Sequence, residues 1–232
     1  MDLHAHTRHS LDALLPPAQL VERAREAGLG RLAVTDHGTI EGALEAREFD
    51  RDLVIVGEEI KCRCGTELIG LFLSERIPMR LRIEEVVERI RAQDGVIYAP
   101  HPYAYALRPR WHLERALGVA DVVEAFNARA FLPAWNRRAD LEARTRGLPR
   151  AASSDAHFPA EIGRAYTEMP TFTSASTFRR SLDSAEPVAL RVTHPAAHVA
   201  STTIRAFRVA ASECRRLVVE EGRRPLPVPA SG

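Results

Sequence analysis

The chain has 232 residues, of which 45% are hydrophobic and 27% charged. That balance excludes wholesale disorder and suits one large domain, or at most two small ones. The 32 basic and 31 acidic residues leave a formal charge of +1, which argues against a strongly basic nucleic-acid scaffold.

Met1 to His6 alternates apolar and polar residues and predicts a short strand. After Pro16-Pro17, Leu20, Val21, Ala24 and Ala27 share one helical face, and Gly28 is a natural stop. Arg31–Thr35 predicts a strand, Ile40–Phe49 a helix and Leu53–Gly57 a buried strand. Glu58–Cys62 and Glu67–Leu73 predict a strand pair turned at Gly65. Ile83–Gln93 is amphipathic through Val86, Val87 and Ile90, and Gly95–Ala99 is a strand running into Pro100-His101-Pro102. A strand within Val119–Phe126, a helix over Trp135–Arg146 ended by Gly147, and a strand over Arg150–Ser153 follow. Tyr166–Met169 predicts a last strand and Ser174–Ser184 a last helix. Such alternation predicts an α/β fold built on a parallel sheet or barrel.

From about Glu186 the chain becomes richer in Ala, Thr, Arg and Pro. Residues 1–185 are therefore expected to form the main domain. Residues 186–232 are expected to form a peripheral extension, with one helix around Thr203–Val219 and a frayed tail. Cys62, Cys64 and Cys214 make an odd number with no disulfide spacing, and Cys62 and Cys64 are expected to act as small hydrophobes in a strand. Neither a leader-like start nor an apolar run of membrane-spanning length is seen, so a cytoplasmic protein is expected. Lys61 is the single lysine among the basic residues; the rest are arginines, which bind phosphate bidentately.

The polar residues fall at informative places. His4 and His6, Asp36 and His37, Glu59, His101, and Asp155 and His157 each lie at the carboxyl end of a strand candidate. Active sites of barrels and open parallel sheets are built at that edge. Residues two apart on a strand face the same way, so His4/His6 and Asp155/His157 each present a pair. A lone histidine there is more often a hydrogen-bonding core residue. Five of nine histidines with Asp12, Glu59 and Asp155 at one edge instead predict a shared metal cluster.

These motifs resemble the PHP (polymerase and histidinol phosphatase) family of metal-dependent phosphoesterases. The resemblance rests on Asp2-Leu3-His4-Ala5-His6-Thr7 with Ser10 and Asp12, on Thr35-Asp36-His37-Gly38, and on Gly57-Glu58-Glu59-Ile60. It continues through His101-Pro102, Val123-Glu124-Ala125-Phe126-Asn127 and Ser153-Ser154-Asp155-Ala156-His157. It implies a distorted seven-stranded β/α, TIM-like barrel within residues 1–185. It further implies two or three divalent ions (manganese, zinc or iron) held by His4, His6, Asp12, His37, Glu59, His101, Asp155 and His157, with Glu59 bridging. Glu124–Asn127 lacks the histidine that some relatives place there. Asp36, His37, Glu59 and Asp155 are expected to carry the chemistry, Asp36 either orienting an imidazole or capping a strand end.

The implied reaction is hydrolysis of phosphate esters of small molecules or nucleotides by a metal-activated hydroxide. Nucleoside 3′,5′-bisphosphates and short oligonucleotides are the substrates that the resemblance suggests. Arg8, His9, Arg108 and Arg164 are candidate phosphate clamps, and Tyr103 and Tyr105 could line a ring pocket or pack in the core. His112, His194 and His198 are expected on the surface. A small phosphorylated partner is expected, with no membrane and no long nucleic-acid groove. Alternatives are a histidinol-phosphatase-like enzyme, an amidohydrolase acting on C–N bonds through Lys61, and a non-catalytic interaction module.

Overall fold

In the computed structural model, residues 1–103 and 110–222 are described, without the side chains of 110–112 and 214–222. Arg108, Tyr105, the side chains of His112 and Cys214, and the Pro-rich tail lie outside the described residues. One sheet organises the chain, in the order β1 (Leu32–Val34), β2 (Val54–Lys61), β3 (Glu67–Leu71), β4 (Val96–Ala99), β5 (Val122–Asn127) and β6 (Arg150–Ser153). The pairs β1/β2, β4/β5 and β5/β6 are parallel, whereas β3 is antiparallel to both of its neighbours. The sheet curls into a half-barrel. Its two edge strands are linked by the N-terminal segment, where Asp2 bridges Leu32 and Ala5 bridges Ala156. Thr35 N–H donates to the Ala5 carbonyl at 2.9 Å, and His6 N–H to the Ala156 carbonyl at 2.8 Å. Met1–His6 is thus extended and buried, but forms single bridges where a continuous strand was expected.

Period-two alternation sorts the strand residues between two faces. Val34, Val54, Val56, Ile60 and Leu68 point outward and pack with Leu20 and Val21 of α1 (Pro17–Glu26) and Ile90 of α3 (Ile83–Ala92). Ala33, Ile55, Ile69, Leu71, Val96, Tyr98, Val122 and Ala151 point inward as an apolar floor closed by Phe172 and Phe178. Glu59 shares parity with Ile55, Glu67 with Ile69, and Glu124 with Val122. All three carboxylates therefore project into the concave side, above that floor. Neighbouring Glu58 has the opposite parity and accepts a hydrogen bond from Ile77 N–H at 2.8 Å.

The remaining helices are α2 (Glu41–Phe49), α4 (Arg110–Val119), α5 (Pro133–Arg146), α6 (Ala175–Ser181) and α7 (Ala196–Gly222). Gly147 ends α5 at φ 64°, a left-handed cap that glycine adopts without steric penalty. A two-stranded sheet of β7 (Tyr166–Glu168) and β8 (Glu186–Val188) was foreseen only in its first half. Pro187 masks β8, although such edge positions tolerate proline. No helix was expected over α4. The helix predicted over Ser174–Ser184 stops at Ser181 and finishes as a 3-10 turn over Leu182–Ser184. Helix α7 begins at Ala196, earlier than the expected Thr203, because His194 Nδ1 accepts from Ala196 N–H at 3.2 Å and replaces the usual Ser/Thr/Asp/Asn cap.

No helix among the described residues is long and apolar enough to cross a membrane. Cys62 and Cys64 sit in the turn between β2 and β3 as free thiols. Burial pushes the Cys62 thiol up to about 12.

Candidate metal centre

Five imidazoles and three carboxylates meet at the open end of the half-barrel. His4 and His6 come from the N-terminal segment, Asp12 from the loop after it, and His37 from the chain leaving β1. Glu59 comes from within β2, His101 from the end of β4, and Asp155 and His157 from the end of β6. His101 (φ 28°) and Asp155 (φ 52°) hold left-handed backbone conformations, which non-glycine residues adopt at an energetic cost. Both residues turn the chain sharply out of a strand and into the site.

The contacts are dense. His4 Nε2 lies 3.0 Å from His6 Nε2, 3.3 Å from Glu59 Oε2 and 3.5 Å from Asp155 Oδ1. His6 Nε2 lies 3.4 Å from Glu59 Oε2 and 3.3 Å from Asp155 Oδ1. His37 spans Glu59 Oε2 (3.1 Å) and Asp12 Oδ2 (3.4 Å), and His101 Nε2 is 3.2 Å from Glu59 Oε1. His157 Nε2 is 3.5 Å from Asp12 Oδ1, a buried oxygen with no hydrogen-bond partner among the described residues.

The outer ring nitrogens decide what the inner ones can do. His4 Nδ1 faces Glu124 Oε1 at 3.1 Å, and His157 Nδ1 faces the Asp155 carbonyl at 2.8 Å. Carboxylates and carbonyls only accept, so both rings donate from Nδ1. Ser10 gives its hydroxyl proton to Asp36 Oδ1 at 2.6 Å and therefore accepts from His6 Nδ1 at 3.2 Å. Neutral His4, His6 and His157 consequently all turn an Nε2 lone pair inward, among three carboxylates. Lone pairs packed this closely repel unless a cation lies between them, and imidazole with carboxylate is the donor set of zinc, manganese and iron sites. The donor set therefore fits divalent metal. Four overlapping trios have ligand atoms within 4.8 Å of one another: His6/His37/His157, His4/His6/Glu59, His4/His101/Asp155 and Glu59/Glu67/His101.

The surrounding carboxylates favour positive charge within the cluster, on an ion or on the rings themselves. Burial opposes protonation of His4, but Asp155 and Glu124 outweigh it and hold its pKa well above the ordinary value. His37 is likewise raised against burial, by Glu59 and Asp12, and His101 by Glu59. His6 goes the other way, to about 3, because burial and the neighbouring His157 and His37 disfavour its charge. Burial alone would raise Glu59 and Asp155. Their imidazole neighbours, His37 for Glu59 and His4 for Asp155, hold both well below the carboxylate range.

Asp36 lies outside the cluster. It accepts from Thr7 N–H (2.7 Å), Thr7 Oγ1 (2.6 Å) and Ser10 Oγ, and so fixes the loop whose Ser10 orients His6. Gly42 of α2 permits this approach: a Cβ there would stand 2.0 Å from Asp36 Oδ2 and 2.3 Å from Thr7 Oγ1. Sequence reasoning missed Glu67 and left the part played by Glu124 and Asn127 open. Glu67 reaches the cluster from β3, and its parity with Ile69 was the available signal. Glu124 accepts from His101 N–H, from His4 and from Asn127 Nδ2 (3.0 Å), while Asn127 also donates to Asp155 Oδ2 at 3.1 Å.

Three of the four expected phosphate clamps lie elsewhere, Arg108 being outside the described residues. Arg8 and His9 both pair with Glu45, at 2.7 and 2.8 Å. Arg164 donates to the carbonyls of Ala160 and Val192. None of the three lines the cavity of about 320 Å³ that opens onto Asp12, His37, Glu59, His101, Asp155 and His157. The cavity wall is completed by Lys61, whose Nζ is 3.5 Å from Glu67 Oε1, by Arg129, and by His198, Ser201, Thr202 and Arg205 of α7. Tyr103, half-buried, donates to Glu142 Oε2 at 3.1 Å and stacks under Arg138.

Comparison with known proteins agrees with the motifs. Residues 2–97 match the PHP domain and residues 133–186 the PHP-associated domain. An uncharacterised protein of Methanocaldococcus jannaschii is 36% identical over 140 residues, spanning 55% of this chain and 81% of that one. A 5′-3′ exoribonuclease of Haemophilus influenzae is 28% identical over 134 residues, spanning 55% of this chain and 48% of the relative. A two-domain Bacteroides vulgatus protein containing a predicted PHP-like metal-dependent phosphoesterase superposes with a TM-score of 0.66 at 19% identity. That match covers 81% of this chain and 63% of the other.

Proposed function

Because the chain belongs to the PHP family, we propose that it is a metal-dependent phosphoesterase acting on phosphate esters of small molecules or nucleotides. The observation that carries this reading is the convergence of His4, His6, His37, His101 and His157 with Asp12, Glu59 and Asp155 in one cluster, six of them lining one cavity. These residues would hold two or three divalent ions, Glu59 standing between ring nitrogens on both sides and Glu67 with His101 offering a further position. The N-terminal segment joins the two edges of the half-barrel by single bridges and would deliver two of the ligands.

Bound divalent ions would supply Lewis acidity to a phosphoryl oxygen and to water. The chain's own residues do the rest. Glu124, Ser10 with Asp36, and the Asp155 carbonyl fix the Nδ1–H tautomers of His4, His6 and His157 and keep each Nε2 pointed inward. The apolar floor closes the site from below, and substrate would enter from the open end. A cavity of about 320 Å³ is at the small end of ligand sites, which favours a small monoester or a strand terminus over a duplex. The exoribonuclease among the relatives makes a short oligonucleotide the second candidate.

Lys61 pairs with Glu67 at the rim, which disfavours the carbamylated-lysine chemistry of an amidohydrolase. A full set of acidic and imidazole donors disfavours a purely structural module.

The test is a screen of the protein reconstituted with manganese, zinc or iron against phosphomonoesters, nucleoside 3′,5′-bisphosphates and short oligonucleotides. Activity with at least one class is expected, and its loss in the His4→Ala/His6→Ala double variant. Activity that survives the double change would overturn the reading.

A further inference from the structure

Helix α7 is turned with its polar side inward. His198, Ser201, Thr202, Arg205 and Arg208 recur at helical spacing along one face. The first four line the cavity, while Val199 (67% exposed) and Phe207 (75%) are directed to solvent. A helix placed only to cover a core would bury the apolar stripe instead.

Two anchors hold α7 across the rim. Ser201 Oγ accepts from Arg129 Nη2 at 2.6 Å, and Arg129 is itself buried against Glu161 at 2.9 and 3.0 Å. Further along, Arg208 Nη1 donates to the carbonyls of Ser10 (2.7 Å) and Arg8 (3.2 Å), in the loop between His6 and Asp12. Arg205 lies between these anchors. Its guanidinium approaches Asp12 Oδ2 at 4.0 Å, is 60% exposed, and makes no hydrogen bond among the described residues. The cavity's other cationic side chains differ: Lys61 faces Glu67, and Arg129 is held by Glu161.

We propose that Arg205 of α7 is the substrate-anchoring residue, binding the non-bridging oxygens of the phosphate ester as it enters the metal centre. An exposed guanidinium 4.0 Å from a carboxylate is weakly held and free to turn. Its planar fork presents paired N–H donors to a phosphate dianion, a geometry that an ammonium cannot supply. Of the residues expected from sequence to clamp phosphate, Arg8 and His9 are tied to Glu45 and Arg164 to backbone carbonyls, whereas Arg205 stands at the cavity. The proposal rests on the phosphoesterase reading and specifies which residue recognises the substrate.

The test uses the full chain loaded with manganese and orthophosphate as probe, with affinity read by calorimetry and KM read in parallel with p-nitrophenyl phosphate. Arg205→Gln is expected to weaken orthophosphate and raise KM by about 10–100-fold. Arg205→Lys should fall between Arg205→Gln and wild type, and Thr203→Gln, on the same helix, should match wild type. Helix content should be unchanged in all three, because both side chains are exposed. Arg205→Gln that binds orthophosphate as tightly as an active wild type, or has its KM, would overturn the anchor and leave the phosphoesterase reading standing. A wild type that neither binds orthophosphate nor hydrolyses any ester would overturn both.

Discussion

Glu124 never lines the cavity, yet three groups of the site depend on it. Its carboxylate accepts from His101 N–H, from His4 Nδ1 and from Asn127 Nδ2, and it is fully buried. A carboxylate behind a ligating imidazole fixes the ring's tautomer and raises its basicity, so its removal weakens metal binding without touching a ligand. Glu124→Gln is therefore expected to lower manganese or zinc affinity by about 10–100-fold, measured by competition with a chromophoric chelator, with the circular dichroism spectrum retained. Unchanged affinity would show that His4 is oriented by the fold alone. At this scale the inner cluster was legible in the sequence. Histidines and acids at successive strand ends are visible as spacing, and so is the strand parity that aims Glu59 inward. Asp36 was legible as a residue that either orients an imidazole or caps a strand end, but not which imidazole, because its action on His6 runs through Ser10. Arg8, His9 and Arg164 show the converse: closeness to a motif says nothing of where a long side chain finds its partner.

At the scale of elements, α7 was the least readable. Its start lacks an ordinary cap residue, and its apolar residues suggest a buried stripe that the structure places in solvent. Only tertiary context, a charged cavity in place of a core, explains the inverted face. The link that seats it is the Arg129–Glu161 pair, whose side chains are 4% and 3% exposed. Glu161 also accepts from His157 N–H (2.7 Å) and Phe158 N–H (2.9 Å), so the same carboxylate supports the loop carrying His157. Breaking one partner of a buried pair leaves an uncompensated charge. Arg129→Met is expected to destabilise the protein by about 3–5 kcal/mol in urea unfolding. A loss near zero would show that Glu161 is satisfied by its backbone donors and that α7 is held by Arg208 alone.

At the scale of the molecule, the half-barrel separates two environments within a single interior. Apolar side chains fill its lower layer, and acids and imidazoles its upper layer, where strand ends and single-bridge connections replace continuous sheet. The α/β alternation was legible because hydrophobic periodicity reports it directly. The joining of the sheet's edges through Met1–His6 was less so, since pairing by isolated bridges has no periodic signature. The upper layer is tolerable only if something positive sits among its inward lone pairs. The most direct measurement is the metal content of the purified chain after loading with manganese or zinc and exhaustive dialysis, read by mass spectrometry. More than one ion should remain per wild-type chain, and most of this should be lost from His4→Ala/His6→Ala. A wild type that retains no metal, or a variant that retains as much, would contradict the account.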